Sequence, residues 1–144
     1  MPTKTLRIMI ADTQQSHRMK LEFLFNLLGY FRIAPVSDMH ELLTLVEYGS
    51  EPFDLVLVND SLADETLALP EFFLDNAQVR HAMIYNAPPA DPLSRPVTRL
   101  PGLQLNRAPL PDLVSLQRLM EQVELAFSET AQPWGRSLRH SLGG

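Results

Sequence analysis

The sequence predicts one α/β domain, a mostly parallel sheet with helices on both faces. Three observations carry this. Short apolar runs that read as buried strands alternate with segments of helical periodicity, the pattern of right-handed βαβ crossovers. The length of 144 residues suits one domain with room for a sizeable core. Hydrophobic residues make up 45% of the chain, too many for a wholly disordered one.

Each element has its own signal. Leu6 to Ala11 reads as strand one, followed by a polar turn, Asp12-Thr13-Gln14-Gln15. Leu21, Leu24, Phe25 and Leu28 recur at helical spacing, and Gly29 ends that helix as a left-handed cap. Phe31 to Val36 reads as a second, shorter strand. Ser37 or Asp38 caps the next helix, with Glu41 placed as in a capping box and Met39, Leu42, Leu43 and Val46 as its apolar stripe. Phe53 to Asn59 is strand three. Pro70, with Leu69, Phe72 and Phe73, predicts a short helix near 70–77. His81 to Asn86 and Leu103 to Arg107 read as strands four and five. The last helix starts near Pro111 and Asp112 and carries Leu113, Leu116, Met120, Val123 and Phe127; its pattern stops after Ser128. The expected division is a domain over 1–128 and a flexible tail over 129–144.

One break interrupts the alternation. Seven of the twelve prolines fall between 88 and 111. Proline lacks an amide donor and disfavours helix in the residue before it. A fourth helix due between strands four and five is therefore expected to be shortened, or replaced by a proline-rich loop over 87–101.

Composition removes several classes of function. A net charge of −5 argues against nucleic acid. The absence of cysteine excludes disulfides, thiolate chemistry and cysteine–zinc sites. The first strand begins too soon for a signal peptide, and no apolar run has the length of a membrane span, so a cytoplasmic protein without membrane contact is expected. With only six glycines there is no phosphate-binding loop or dinucleotide fingerprint. His17, His40, His81 and His140 are scattered without metal spacing. No nucleophile-elbow pattern occurs, so no enzyme activity is expected.

Three local markers carry a resemblance: Ile8-Met9-Ile10-Ala11-Asp12, Phe53-Asp54-Leu55-Val56-Leu57-Val58-Asn59 and Leu105-Asn106-Arg107, each closing a strand. Together with the order of elements over roughly residues 5–128, the chain resembles the receiver domains of two-component response regulators (the CheY-like family). The resemblance implies a flavodoxin-like, doubly wound sheet of five parallel strands in the order 2-1-3-4-5. It also implies a pocket at the carboxyl edge: two acidic residues ending strand one, a phosphate-accepting aspartate ending strand three, Ser or Thr ending strand four and Lys ending strand five. Here only Asp12 matches outright. Thr13 takes the second acidic position, Asn59 the acceptor, Asn86 the Ser or Thr, and Arg107 the position near the Lys, with Ala108 in place of the proline that commonly follows.

These replacements change the chemistry. An amide is uncharged and a poor nucleophile, whereas phosphoryl transfer needs an anionic oxygen and a magnesium ion. Magnesium prefers hard oxygen ligands that include carboxylates. With Asp12 alone, magnesium binding is expected to be weak or absent, with no other cofactor. Arg107, always charged and forked toward carboxylates, is expected to pair with Asp12 in a closed network with Asn59. Simpler roles stay open: Asn59 as a strand-end cap, and Asp12 as an acceptor for free amides at the next helix start.

The expected function is that of a stand-alone, degenerate receiver domain, a pseudo-receiver, acting in signal transduction by phosphorylation-independent contact. Its partner would be a histidine kinase, an output protein or a second copy. Candidate contacts are Phe23 and Tyr30 near the first helix, Trp134 in the tail, and the proline-rich segment with strand five and the last helix. Two alternatives remain: phosphorylation at an off-motif residue such as Asp60, or a small molecule bound at the carboxyl edge. Only 16 residues follow 128, too few for a DNA-binding helix-turn-helix unit.

Overall fold

The computed structural model describes residues 5–62, 78–87 and 102–131, with side chains as far as Ala126. The helix expected near 70–77, residues 88–101 of the proline-rich segment, and Trp134 lie outside the described residues.

Five parallel strands form one sheet: β1 (Ile8–Ala11), β2 (Ile33–Val36), β3 (Leu55–Asn59), β4 (Ala82–Tyr85) and β5 (Leu103–Leu105). Their order is β2-β1-β3-β4-β5, as expected. The described α-helices are α1 (Gln15–Leu27), α2 (Met39–Tyr48) and α3 (Leu113–Ala131). The chain steps from β1 outward to β2, then back across β1 to β3. That reversal opens a crevice beyond the carboxyl ends of β1 and β3, where ligands bind in sheets of this kind.

Two cores flank the sheet. Successive strand residues face opposite sides, so Ile8 and Ile10, Leu55 and Leu57, and Met83 and Tyr85 share one face. They pack on Leu21 and Phe25 of α1 and on Leu116, Leu119, Met120 and Val123 of α3. Met9, Ala11, Val56, Val58 and Ile84 fill the other face with Leu42 and Val46 of α2. Each large side chain buried in this way contributes about 1.5–3 kcal/mol. Burial on both faces is why β1 and β3 read as unbroken apolar runs rather than alternating ones.

Local signals set the ends of the elements. Gly29, at φ 97°, follows α1 in the left-handed region. At the start of α2 both capping candidates act: Asp38 Oδ1 accepts from the Glu41 amide at 2.8 Å, and the Glu41 carboxylate accepts from the Ser37 amide at 3.1 Å and hydroxyl at 3.2 Å. Asp112 likewise accepts from the Ser115 amide at 2.8 Å. Gly102 enters β5 at φ 84°, and a Cβ there would lie 2.8 Å from the Arg80 carbonyl oxygen.

The differences from expectation are local. β5 stops at Leu105, not Arg107. The Asn106 amide still donates to the Ile84 carbonyl at 2.9 Å, but its side-chain oxygen then accepts from the Ala108 amide at 2.9 Å and turns the chain out of the sheet. Phe31 precedes β2 and is exposed, and Leu113 is exposed while Leu119 takes its place in the core. α3 continues three residues past Ser128.

Candidate functional site

The pleat that places Ile10, Leu57 and Met83 on one face also delivers the residues two positions further on. These are Asp12, Asn59 and Tyr85, neighbours at the carboxyl edge of three adjacent strands. The register fixes their level: Ala11 pairs with Val58, and Asn59 with Tyr85. Asp12 is fully buried and Asn59 is 3% exposed; they are the buried polar residues of the described core.

Asp12 is the hub. Its Oδ2 accepts from the Tyr85 hydroxyl at 2.5 Å and from Asn59 Nδ2 at 3.0 Å, and it lies 2.9 Å from His17 Nδ1. Its Oδ1 accepts from the Gln14 amide at 2.9 Å. Even its backbone carbonyl is taken, by Arg18 Nη1 at 2.6 Å. Burial alone would raise the Asp12 carboxyl. The hydrogen bonds from Tyr85, Gln14, Asn59 and His17 outweigh it and hold the group below the ordinary carboxylate range. Burial, and the Asp12 carboxylate beside it, push the Tyr85 phenol up, so the hydroxyl stays a donor.

Asn59 joins two halves of the site. Its amide nitrogen faces Asp12, while its Oδ1 accepts from the Ser61 amide at 2.9 Å and from Asn86 Nδ2 at 3.2 Å. Both ends of the carboxamide are used, one as donor and one as acceptor; a carboxylate could not donate to Asp12. Asn86 closes the edge from β4 in the left-handed region at φ 56°, a conformation that asparagine tolerates better than most residues. Its amide donates to the Ala108 carbonyl at 2.8 Å, tying the loop after β5 to the end of β4.

The structure thus brings Asp12, Asn59 and Asn86 together. Thr13 is exposed and bonds no described residue. The expected Arg107–Asp12 pair is not formed. Arg107 is exposed in the turn after β5, and Asp12 is served by Tyr85, Asn59, His17 and Gln14 instead. The cause is the early end of β5, which leaves Asn106 at the strand's last level. Asp12 does serve an amide at the helix entrance, though at Gln14, the residue before α1. Asp60 opens a 3₁₀ turn, Asp60–Leu62; burial pushes its carboxyl up, and it bonds no described residue.

Of the contact candidates, Phe23 is 60% exposed, between Met19 at 62% and Leu27 at 59%, one helical turn to either side on α1. Tyr30 belongs to the core instead. It is 4% exposed, its ring meets Phe25 edge-on at 6.5 Å, and its hydroxyl donates to Glu124 Oε2 at 3.1 Å. The short connection through Gly29 turns it back under α1.

Sequence reasoning missed Tyr85 and His17. Tyr85 was legible only as a strand residue. Its two-residue offset from Met83 on the inner face is the signal that its hydroxyl would reach the edge beside Asp12. His17 lies five residues after Asp12, in the first turn of α1, where the chain folds back over the end of β1.

A divalent cation needs several oxygen lone pairs directed into one space. Here N–H and O–H groups converge on the single carboxylate. Among the described residues, no group of three or more His, Asp or Glu side chains could hold a metal, and no helix is long and apolar enough to cross a membrane.

No protein-family model matches the sequence, and no curated protein matches it significantly. Solved structures do match. The N-terminal domain of a response regulator/sensory box/GGDEF three-domain protein from Carboxydothermus hydrogenoformans is similar at 13% identity and TM-score 0.61, over 86% of this chain and 98% of that one. Chemotaxis protein CheY4 of Vibrio cholerae is similar at 13% identity and TM-score 0.58, over 82% of this chain and 98% of its own. A response regulator receiver domain protein from Clostridium thermocellum is similar at 12% identity and TM-score 0.58, over 88% of this chain and 97% of its own. The fold is that of the CheY-like receiver domains.

Proposed function

We propose that this domain works in signal transduction as a receiver-like module that neither accepts phosphate nor catalyses a reaction, and that acts by contact with another protein. The observation that carries this reading is the orientation of Asn59. Its amide nitrogen points at Asp12 from the end of β3, where the resemblance implies a nucleophilic carboxylate. An amide in that place can neither attack phosphorus nor help neutralise a metal. At this edge a hydrogen-bond network instead joins β1, β3, β4 and the entrance to α1.

The partner would be a histidine kinase, an output protein or a second copy of the chain. The exposed Met19, Phe23 and Leu27 on α1 support a protein contact there. A net charge of −5 disfavours nucleic acid. Incubation with acetyl phosphate and Mg²⁺, followed by intact mass measurement, tests the central claim. The expected result is an unchanged mass. A stoichiometric phosphoryl adduct would replace this reading, and mapping it to Asp60 would establish an off-motif acceptor. Affinity capture from the native host, repeated with Phe23→Glu and with residues 129–144 removed, identifies the partner and the surface it uses.

A further inference from the structure

Position 59 is only one of the obstacles to a cation at this edge. We propose that the Tyr85 hydroxyl occupies the place of a cation at Asp12, and that it keeps the site closed even when aspartate is introduced at position 59. This rests on the reading of the edge as phosphate-free, and it adds Tyr85 to position 59 as a second determinant.

The argument is one of directions around a single atom. Oδ2 of Asp12 faces three partners from three different elements: Tyr85 from β4, Asn59 from β3 and His17 from α1, all within 3.0 Å. Oδ1 faces the Gln14 amide, and the adjacent backbone carbonyl faces Arg18. Every oxygen that Asp12 could offer a metal already has a protein donor or a histidine nitrogen against it. A carboxylate oxygen has few lone-pair directions, and a hard cation must displace the donors that fill them.

In Asn59→Asp, one of these donors becomes an acceptor close to Asp12 Oδ2. Two carboxylates at that spacing need a counter-charge. The fold already supplies a donor in the place of a metal: the Tyr85 hydroxyl still donates at 2.5 Å. Tyr85 is completely buried, so its hydroxyl cannot swing into solvent to clear the way without displacing core packing. Phenylalanine keeps the ring in the core and removes only the blocking oxygen.

Calorimetric titration with Mg²⁺ tests this on four forms of the full chain: the natural sequence, Asn59→Asp, Tyr85→Phe and the double variant. The expected result is saturable uptake of one Mg²⁺ per chain by the double variant alone. The block is worth about tenfold or more in affinity, the scale of one hydrogen bond to a charged group, and it should hold Asn59→Asp below the range in which the titration saturates. A parallel Mg²⁺-dependent rise in melting temperature should appear in the double variant only. Asn59→Asp binding Mg²⁺ as tightly as the double variant would overturn the proposal, as would a folded double variant that takes up none. Should the double variant fail to fold by circular dichroism, Asn59→Asp decides the matter alone: silence toward Mg²⁺ supports the block, and saturable binding overturns it. The natural sequence treated with acetyl phosphate reports separately on the phosphate-free reading, so the two can fail independently.

Discussion

Replacing Tyr85 by phenylalanine isolates one bond of the Asp12 hub. The ring stays in the core between Met83 and the α3 side chains, so almost no volume is lost. What disappears is a 2.5 Å donor to a fully buried carboxylate. Hydrogen bonds to charged groups are worth about 1.5–3 kcal/mol, so the expected loss is about 2 kcal/mol near neutral pH. For a domain of this size that lowers the melting temperature by about 4–8 °C. The loss has a pH signature. The Asp12 carboxyl is lowered in the folded chain, so its contribution is fully present above the unfolded value of about 3.9 and fades as pH falls through the folded value. Without the hydroxyl the folded value moves up, and that contribution shrinks. The gap between natural and variant chains should therefore be widest near neutral pH and narrow in acid, as pH falls through the folded value. Urea denaturation at both pH values, with unchanged m, reads it directly. A gap under about 0.5 kcal/mol at neutral pH, or one equally large in acid, would refute the assignment of Tyr85 as a donor to an ionised Asp12.

Asn59→Asp should cost about 3 kcal/mol near neutral pH, because it sets a second carboxylate beside Asp12 in a buried place. The new carboxyl is raised, so the cost should fade on acidification through the unfolded carboxylate range, as followed by thermal melts across pH. Asp38→Ala removes the acceptor for the Glu41 amide at the start of α2 and should cost about 1 kcal/mol in urea denaturation. Gly102→Ala combines a φ of 84° with a Cβ 2.8 Å from the Arg80 carbonyl, and should destabilise by about 1–2 kcal/mol by the same assay. Phe23→Glu lies on the exposed face of α1; it should change stability by less than about 0.5 kcal/mol while reducing partner capture.

The fold was legible because its signals are repetitive. Runs such as Leu55 to Asn59 and the spaced leucines of α1 each reappear in the structure within a few residues of their expected ends. The site was legible only where it depends on strand ends, at Asp12, Asn59 and Asn86. Arg107 was misplaced because the turn made by the Asn106 side chain is a local event that leaves no periodicity. Tyr30 stood open between a partner contact and packing because it lies outside the α1 stripe, and the turn through Gly29 tucks it into the core. Tyr85 and His17 escaped notice for a different reason. Their importance lies in which atom they meet, and that depends on the level at which separate strands and a helix end.

Pro35 has a consequence at the outer margin of the sheet. It lies in β2, which has β1 on one side and, among the described residues, no strand on the other. β1 takes the carbonyls of Arg32 and Val36, so the alternation of the backbone turns residue 35 outward. An incoming chain seeking to add itself edge-on would find an imide ring where it needs an N–H. That flank therefore resists fibril-like stacking and accidental dimers, and any homotypic pairing of this protein is steered away from it.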